Sequence, residues 1–189
     1  YYRPLVNFTS GVITAMFGYH VKLYRIFNIL LHSLNALLIY YLCLRIFASH
    51  KKRNILSFLA AFMFLIFPLN DLAVIWHTDL TDRLMFAFYV SALLQFLKYN
   101  KTTALSLIFF LLSILCKEMA FSMPLIIIAA AYLLHKNSFI KSIYKSIPYL
   151  LISITVIIFR ILVFNNNILS PETLHAGYGF FSIVKNYAM

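Results

Sequence analysis

The sequence predicts an all-α membrane protein, a polytopic bundle of transmembrane helices. Two observations support this fold class. First, 63% of the 189 residues are hydrophobic and only 11% are charged, with a mean hydropathy of +0.88; a soluble domain of this size needs far more polar surface. Second, apolar runs of helical length recur along the chain, separated by short polar or basic segments. Repeated runs of this kind are typical of multi-pass membrane proteins.

Six apolar runs are predicted to be membrane helices. A span needs about 20 apolar residues, somewhat fewer when flanking groups snorkel. The predicted spans cover residues 22–47, 55–69, 79–97, 103–116, 119–134 and 147–164. Pro148 is expected in the first turn of the last span, where a missing N–H costs little. Within the first span, His32 and Asn35 are expected to make interhelical hydrogen bonds.

The segments outside these spans complete the predicted organisation. Residues 1–20 mix aromatic side chains with Arg3, Pro4 and two glycines, which favours an amphipathic segment at the external interface. We expect a single membrane domain over residues 1–189, with helices in 21–164 and an external tail in 165–189. The sequence starts without an initiator Met or a signal peptide, so we expect it to be part of a longer protein.

Charged residues are divided between the two predicted sides of the membrane. If the six spans cross alternately, one side receives loops whose charges are all positive: Arg45, Lys51, Lys52, Arg53, Lys98, Lys101, Lys136, Lys141 and Lys145. The other side receives all five carboxylates: Asp71, Asp79, Asp82, Glu118 and Glu172. An excess of Lys and Arg marks the cytoplasmic side. The acidic loops are therefore expected outside, most simply at a bacterial cytoplasmic membrane.

The formal charge of +11 does not indicate a nucleic-acid-binding protein. The basic residues alternate with long apolar runs and form no continuous stripe, so membrane topology explains them better. The two cysteines, Cys43 and Cys116, lie far apart in apolar runs, which excludes a disulfide framework and a cysteine-based metal site. The expected partner from composition alone is the lipid bilayer.

The segment "WHTDLTDR", residues 76–83, concentrates polar side chains next to the only tryptophan. In one interpretation, Asp79 caps the third span and Asp82 lies in its first turn, where the helix dipole favours a negative charge. In the other, His77, Asp79 and Asp82 hold a divalent cation, since Asp79 and Asp82 share a helical face. The spacing leaves both interpretations open, so a divalent metal is an alternative and not an assigned cofactor.

The residues Lys117 and Glu118 interrupt a long apolar stretch in "LLSILCKEMAFSMP". Ionisable groups are costly there unless they are paired or functional. A polar hairpin turn would explain them, but Asn, Gly or Ser would serve that purpose at lower cost. We therefore favour a functional interpretation, in which Lys117 lies beside an anionic ligand and Glu118 holds it in position.

The predicted external side also carries cations that the positive-inside rule does not explain: Arg3, Lys22, Arg25, Arg83, Lys117 and Arg160. Arginine forks and lysine ammonium groups bind phosphate well. A lipid-linked phosphate at the outer surface would account for these cations. Snorkelling to lipid headgroups is the alternative, especially for Lys22 and Arg25.

Four segments in order resemble a known family: "YYRPL", "FGYHVKLYRIFNILLHSLNALLIYYL", "FLIFPLNDLAVIWHTDLTDRLMFAFY" and "LLSILCKEMAFSMPLII". Together they resemble the polytopic GT-C glycosyltransferases that use polyprenyl-phosphate sugars. The likeness is greatest to the transmembrane-and-tetratricopeptide O-mannosyltransferases and their bacterial relatives, and it covers residues 1 to about 135. The matching positions are Arg3, the neighbourhood of Asn35, Pro68, Trp76, Asp82 and Lys117–Glu118. The chain departs from the family pattern at Phe67 (usually His), Leu80 (usually Arg) and Cys116 (usually Ser).

The resemblance implies an enzyme that moves a sugar from a polyprenyl-phosphate carrier to an unidentified acceptor on the external face. It implies that Lys117, Arg3 and Arg83 bind the phosphate, and that Asp82 orients a neighbouring basic group or a sugar hydroxyl, with Asp79 as a helper. The family's catalytic acid precedes the Tyr-Arg-Pro-Leu segment, so it is expected upstream of Tyr1. Metal dependence varies among GT-C enzymes and stays open for His77, Asp79 and Asp82.

The alternative function is a non-catalytic membrane bundle, such as a transporter or flippase-like subunit. Ionisable groups within the membrane would then line a translocation path. An inverted repeat would favour this alternative, and the sequence shows none.

Overall fold

A computed structural model describes residues 3–18, 21–67 and 80–168, and every regular element in these ranges is helical. The elements in chain order are α1 (Pro4–Phe17), α2 (Val21–Ile46), α3 (Arg53–Ile66), α4 (Leu80–Tyr99), α5 (Ala104–Cys116), the 3-10 helix η1 (Glu118–Ser122), α6 (Met123–Leu133) and α7 (Phe139–Ile168). The predicted all-α membrane bundle is therefore confirmed. The chain forms two compact units, Tyr1–Leu150 and Leu151–Met189, and the residues discussed below lie in the first.

Each of the six predicted spans corresponds to a helical segment. Within the described residues, three helices are long and apolar enough to cross a membrane: Lys22–Ile46, Leu80–Tyr99 and Phe139–Leu162. The other three segments are apolar but shorter: Arg53–Ile66, Ala104–Cys116 and Glu118–Leu133. At 1.5 Å per residue, the 14 residues of α3 span about 21 Å, less than the hydrocarbon thickness of about 30 Å.

Local sequence signals explain several helix starts. The Thr103 side chain caps α5 by accepting a hydrogen bond from the Ser106 N–H at 3.2 Å, which satisfies one of the donors that a helix start leaves unpaired. Pro124 lies in the first turn of α6, where its missing N–H is tolerated. Asp82 lies in the first turn of α4, at the favourable end of the helix dipole.

The predicted position of Pro148 is wrong. Helix α7 begins at Phe139 rather than near residue 147, so Pro148 lies inside the helix. The segment "FIKSIYKS" before it contains no helix breaker, and the Ser142 side chain donates to the Ser138 carbonyl at 3.1 Å. An interior proline removes one backbone hydrogen bond but does not end a helix that continues on both sides.

Helix α1 covers most of the predicted interfacial segment. Val6 and Ile13 are buried and join an apolar cluster with Leu31 of α2, Leu84 of α4 and Cys116 of α5. The opposite side of α1 is also apolar, since Phe8 is 69% exposed and Met16 is 68% exposed. This cluster packs α1 against α2, the first turns of α4 and the end of α5.

Polar side chains on α2 link it to its neighbours. The Asn35 side-chain amide, fully buried, donates to the Arg83 carbonyl of α4 at 3.1 Å. A ring nitrogen of His32 lies 3.4 Å from the Leu65 carbonyl of α3, and its ring lies 5.0 Å from the Phe64 ring. Both predicted interhelical contacts are confirmed. In an apolar interior, such bonds fix the register of one helix against the next.

Candidate functional site

The charged pair Lys117–Glu118 lies where α5 ends and η1 begins. The backbone of Lys117 is extended, with φ −156° and ψ 144°, and its N–H donates to the Ser113 carbonyl at 3.1 Å. In extended backbone, successive side chains point in opposite directions. The break in the helix therefore sends the two adjacent ionisable side chains towards different partners.

The Lys117 ammonium group forms an ion pair with the Asp82 carboxylate of α4. The Lys117 side chain is 22% exposed and the Asp82 side chain 43% exposed. The lysine is thus the more sheltered member of the pair, and its carboxylate partner is the more exposed.

A second ion pair lies beside the first. The Arg3 guanidinium, at the start of α1, lies 3.6 Å from the Glu118 carboxylate of η1. Their side chains are 26% and 42% exposed. Glu118 therefore contacts Arg3, whereas the sequence had indicated that Glu118 would hold Lys117 in position. Asp82 occupies that position instead, because the extended backbone at Lys117 directs the two neighbouring side chains apart.

Arg83 is the most buried of the predicted site residues, at 4% exposure. It follows Asp82 in the first turn of α4, and its carbonyl accepts the hydrogen bond from Asn35. A buried guanidinium that keeps its charge makes the local potential positive. Since α2 holds the backbone of this turn, the positions of Asp82 and Arg83 depend on Asn35.

The five predicted substrate-binding residues come from three segments that are distant in the sequence and meet at one end of α4. They are Arg3, Asp82 with Arg83, and Lys117 with Glu118. Three cations and two carboxylates leave the group with a net charge of +1. Ion pairs that are partly exposed contribute little to stability, about 0–1 kcal/mol each. Exchange of a carboxylate partner for a phosphate is therefore inexpensive, and the arrangement suits reversible anion binding.

Only part of the predicted metal site lies within the described residues. His77 and Asp79 lie outside the described residues, as do Asp71, Trp76 and Pro68. The remaining candidate ligand, Asp82, is paired with Lys117. Over the ranges 3–18, 21–67 and 80–168, no three residues of the His, Cys, Asp or Glu type come together in a manner that would hold a metal ion.

One further polar contact was not predicted from the sequence. The Tyr89 hydroxyl of α4 and the Ser122 hydroxyl of η1 lie 3.0 Å apart, and Ser122 donates to the Met119 carbonyl at 2.9 Å. Tyr89 lies seven residues after Asp82, a spacing that places both on the same helical face. That spacing is the feature of the sequence from which Tyr89 could have been added to the site. The contact itself fixes η1 against α4.

Comparison with known proteins gave a family match. Residues 3–164 match the sequence model of the family described as dolichyl-phosphate-mannose-protein mannosyltransferase. The matched range contains all the helices from α1 to α6, most of α7, and all five site residues. No curated protein and no solved structure gave a significant match.

Proposed function

Since the chain belongs to the dolichyl-phosphate-mannose-protein mannosyltransferase family, a family of GT-C membrane glycosyltransferases, we propose that it uses a polyprenyl-phosphate sugar as donor. The sugar would pass to an acceptor on the external face of the membrane. The observation that carries this proposal is the pairing of Lys117 with Asp82, beside Arg3 and Glu118, in the matched region.

The proposed reaction requires a site for a leaving phosphate. The acceptor hydroxyl attacks the anomeric carbon of the sugar, loses its proton to a general base, and displaces polyprenyl phosphate as the C–O bond to the phosphate breaks. Negative charge then develops on the departing phosphate oxygen, and preorganised cations nearby lower the barrier. None of the five site residues is assigned as the general base.

Each residue has a distinct proposed role. Lys117 and Arg3 contact the phosphate, and buried Arg83 adds positive potential behind them. Asp82 and Glu118 hold Lys117 and Arg3 in place before the donor binds, because an unpaired cation at a partly buried position is costly. When the phosphate replaces them, the two carboxylates become available to accept hydrogen bonds from sugar hydroxyl groups.

The charge distribution supports an orientation for the proposed enzyme. The described carboxylates, Asp82 and Glu118, lie at one end of α4, whereas Lys98 and Lys101 lie at its other end. With basic loops in the cytoplasm, the site would face the exterior of a bacterial cytoplasmic membrane.

Sugar transfer by the full-length protein, assayed with a polyprenyl-phosphate sugar in membranes, tests the proposal. Lys117→Gln is expected to lower the transfer rate about 100-fold, the loss that follows removal of one group that stabilises charge in a transition state. Asp82→Asn is also expected to lower the transfer rate, because it removes the carboxylate that holds Lys117 in place. Lys101→Gln is the matched control, since it removes one lysine charge at the opposite end of α4. Wild-type rates in both site variants, at equal protein levels, would refute the assignment.

A further inference from the structure

A second polar cluster joins two loops at the opposite end of α4 from Asp82. The Asn100 side-chain oxygen accepts hydrogen bonds from the Asn137 amide at 3.1 Å and from the Lys145 ammonium group at 2.7 Å. The Thr102 hydroxyl donates to the Lys145 carbonyl at 2.8 Å. The loop between α4 and α5 is thereby fixed against the loop between α6 and α7 and the first turns of α7.

The backbone explains why Asn100 occupies the centre of this cluster. Its φ is 51°, in the left-handed region, and its N–H donates to the Phe96 carbonyl at the end of α4 at 2.8 Å. Asparagine tolerates this conformation better than most residues and commonly ends helices. The turn stops α4 and brings the amide side chain of Asn100 to the second loop.

Five lysines lie in the two joined loops and in the adjoining helix ends. We call the group Lys98, Lys101, Lys136, Lys141 and Lys145 the two-loop basic surface. The first four side chains are exposed and Lys145 is partly buried. Among the described residues no carboxylate lies in these loops, since Asp82 and Glu118 are at the other end of α4. Burial, followed by the charge of Lys145, lowers the pKa of His135 in the same region.

Exposed apolar side chains adjoin these cations. In the first turns of α7, Phe139 is 59% exposed, Ile140 is 65% exposed and Tyr144 is 68% exposed. The Phe139 ring makes an edge contact with Tyr132 of α6, with 6.1 Å between centroids. Cations beside exposed aromatic and aliphatic side chains match the boundary between lipid headgroups and acyl chains.

We propose that the two-loop basic surface is a docking site for anionic phospholipid headgroups of the surrounding membrane. The lysines supply the charge that a headgroup phosphate requires. The exposed apolar side chains favour contact with hydrocarbon beside that phosphate: Phe139, Ile140 and Tyr144. A lipid supplies that hydrocarbon, whereas a soluble anion does not. The bonds of Asn100 keep the two loops together, so the lysines act as one surface rather than as separate tethers.

Lipid binding to the purified full-length protein in detergent tests this site. Native mass spectrometry would measure dissociation constants for phosphatidylglycerol and for phosphatidylcholine. We expect clear preference for phosphatidylglycerol. Lys136→Gln/Lys141→Gln is expected to weaken phosphatidylglycerol binding at least 10-fold, since each lysine near an anionic lipid strengthens binding several-fold. Both side chains are exposed, so the variant is expected to fold.

Lys51→Gln/Lys52→Gln is the matched control, since it removes two exposed lysines from the loop between α2 and α3. Wild-type affinity in this control supports a defined site. An equal loss in both variants would show diffuse attraction to any basic loop and would overturn the proposal. Equal affinity of the wild-type protein for both lipids would also overturn it. Displacement of the lipid by millimolar inorganic phosphate would overturn it in favour of a soluble anion site.

Discussion

Lys117 and Glu118 are adjacent in the sequence but pair with different partners, Asp82 and Arg3. An ionisable pair within an apolar run is costly, and that cost identified Lys117 and Glu118 from the sequence alone. The partners were not predictable in the same way. Glu118 contacts Arg3 and Lys117 contacts Asp82, because the extended backbone at Lys117 directs these two adjacent side chains to different sides. Nothing in the residue types specifies that backbone conformation.

Exchanging the charges of the first ion pair separates structure from function. Asp82→Lys and Lys117→Asp each place like charges side by side. Each is expected to lower the free energy of unfolding by about 1 kcal/mol, since the pair is partly exposed, and therefore to lower the thermal unfolding midpoint slightly. The double exchange is expected to restore the midpoint but not sugar transfer, because the phosphate then meets a carboxylate where Lys117 stood. Thermal unfolding and transfer assays of the three variants measure this. Restored transfer in the double variant would show that the pair is only structural.

The residue His135 predicts a pH dependence of stability. Burial, followed by the charge of Lys145, lowers its pKa below the usual 6.5. The folded state therefore releases a proton that the unfolded state binds, so stability rises with pH through this window and is lost as the pH falls below about 6.5. We expect the unfolding midpoint to fall between pH 7 and pH 5 in wild-type protein and to fall less in His135→Gln. Identical pH profiles of the two proteins would contradict this.

At the scale of helices, periodicity located the elements but not all their ends. The predicted first span, 22–47, agrees closely with α2, because long apolar runs define a helix clearly. Helix α7 starts eight residues before the predicted position, because a proline such as Pro148 favours a helix start in a sequence-based prediction. A proline is compatible with the first turn and, at some cost, with an interior that neighbouring residues keep helical. The sequence around a proline does not separate these two cases.

The hydrogen bond between Asn35 and the Arg83 carbonyl predicts coupling between α2 and the site. Asn35→Leu is expected to destabilise the protein by about 1 kcal/mol, in the range of interhelical hydrogen bonds in membranes. It is also expected to lower sugar transfer, since it releases the first turn of α4 that carries Asp82. Ser33→Leu is the control, because Ser33 is exposed on the same helix. Unfolding midpoints and transfer rates measure both effects, and equal behaviour of the two variants would refute the coupling.

At the scale of the whole molecule, composition determined the fold class and the segregation of charge gave a predicted topology. Within the described residues, α4 carries Asp82 in its first turn and Lys98 in its last, so the helix separates the two kinds of charge by about 24 Å along its axis. The meeting of Arg3, Asp82 and Lys117 was not predictable from spacing. It depends on packing between segments more than 30 residues apart, and here only the family resemblance linked them.

The segregation of charge predicts on which side of the membrane each end of α4 lies. Met119 is 64% exposed in η1, beside the candidate site, and Lys101 is exposed in the basic loop. In a background of Cys43→Ala and Cys116→Ser, which removes both free cysteines, Met119→Cys is expected to react with an impermeant maleimide in intact cells. Lys101→Cys is expected to react only after the cells are permeabilised. The cost of moving lysine-rich loops across the membrane is the physical reason for this difference. Labelling of both positions in intact cells would show that the two ends of α4 do not lie on opposite sides, and would remove the proposed orientation. Labelling of Lys101→Cys alone in intact cells would reverse the orientation, and the phosphate site would then have to work from the cytoplasm.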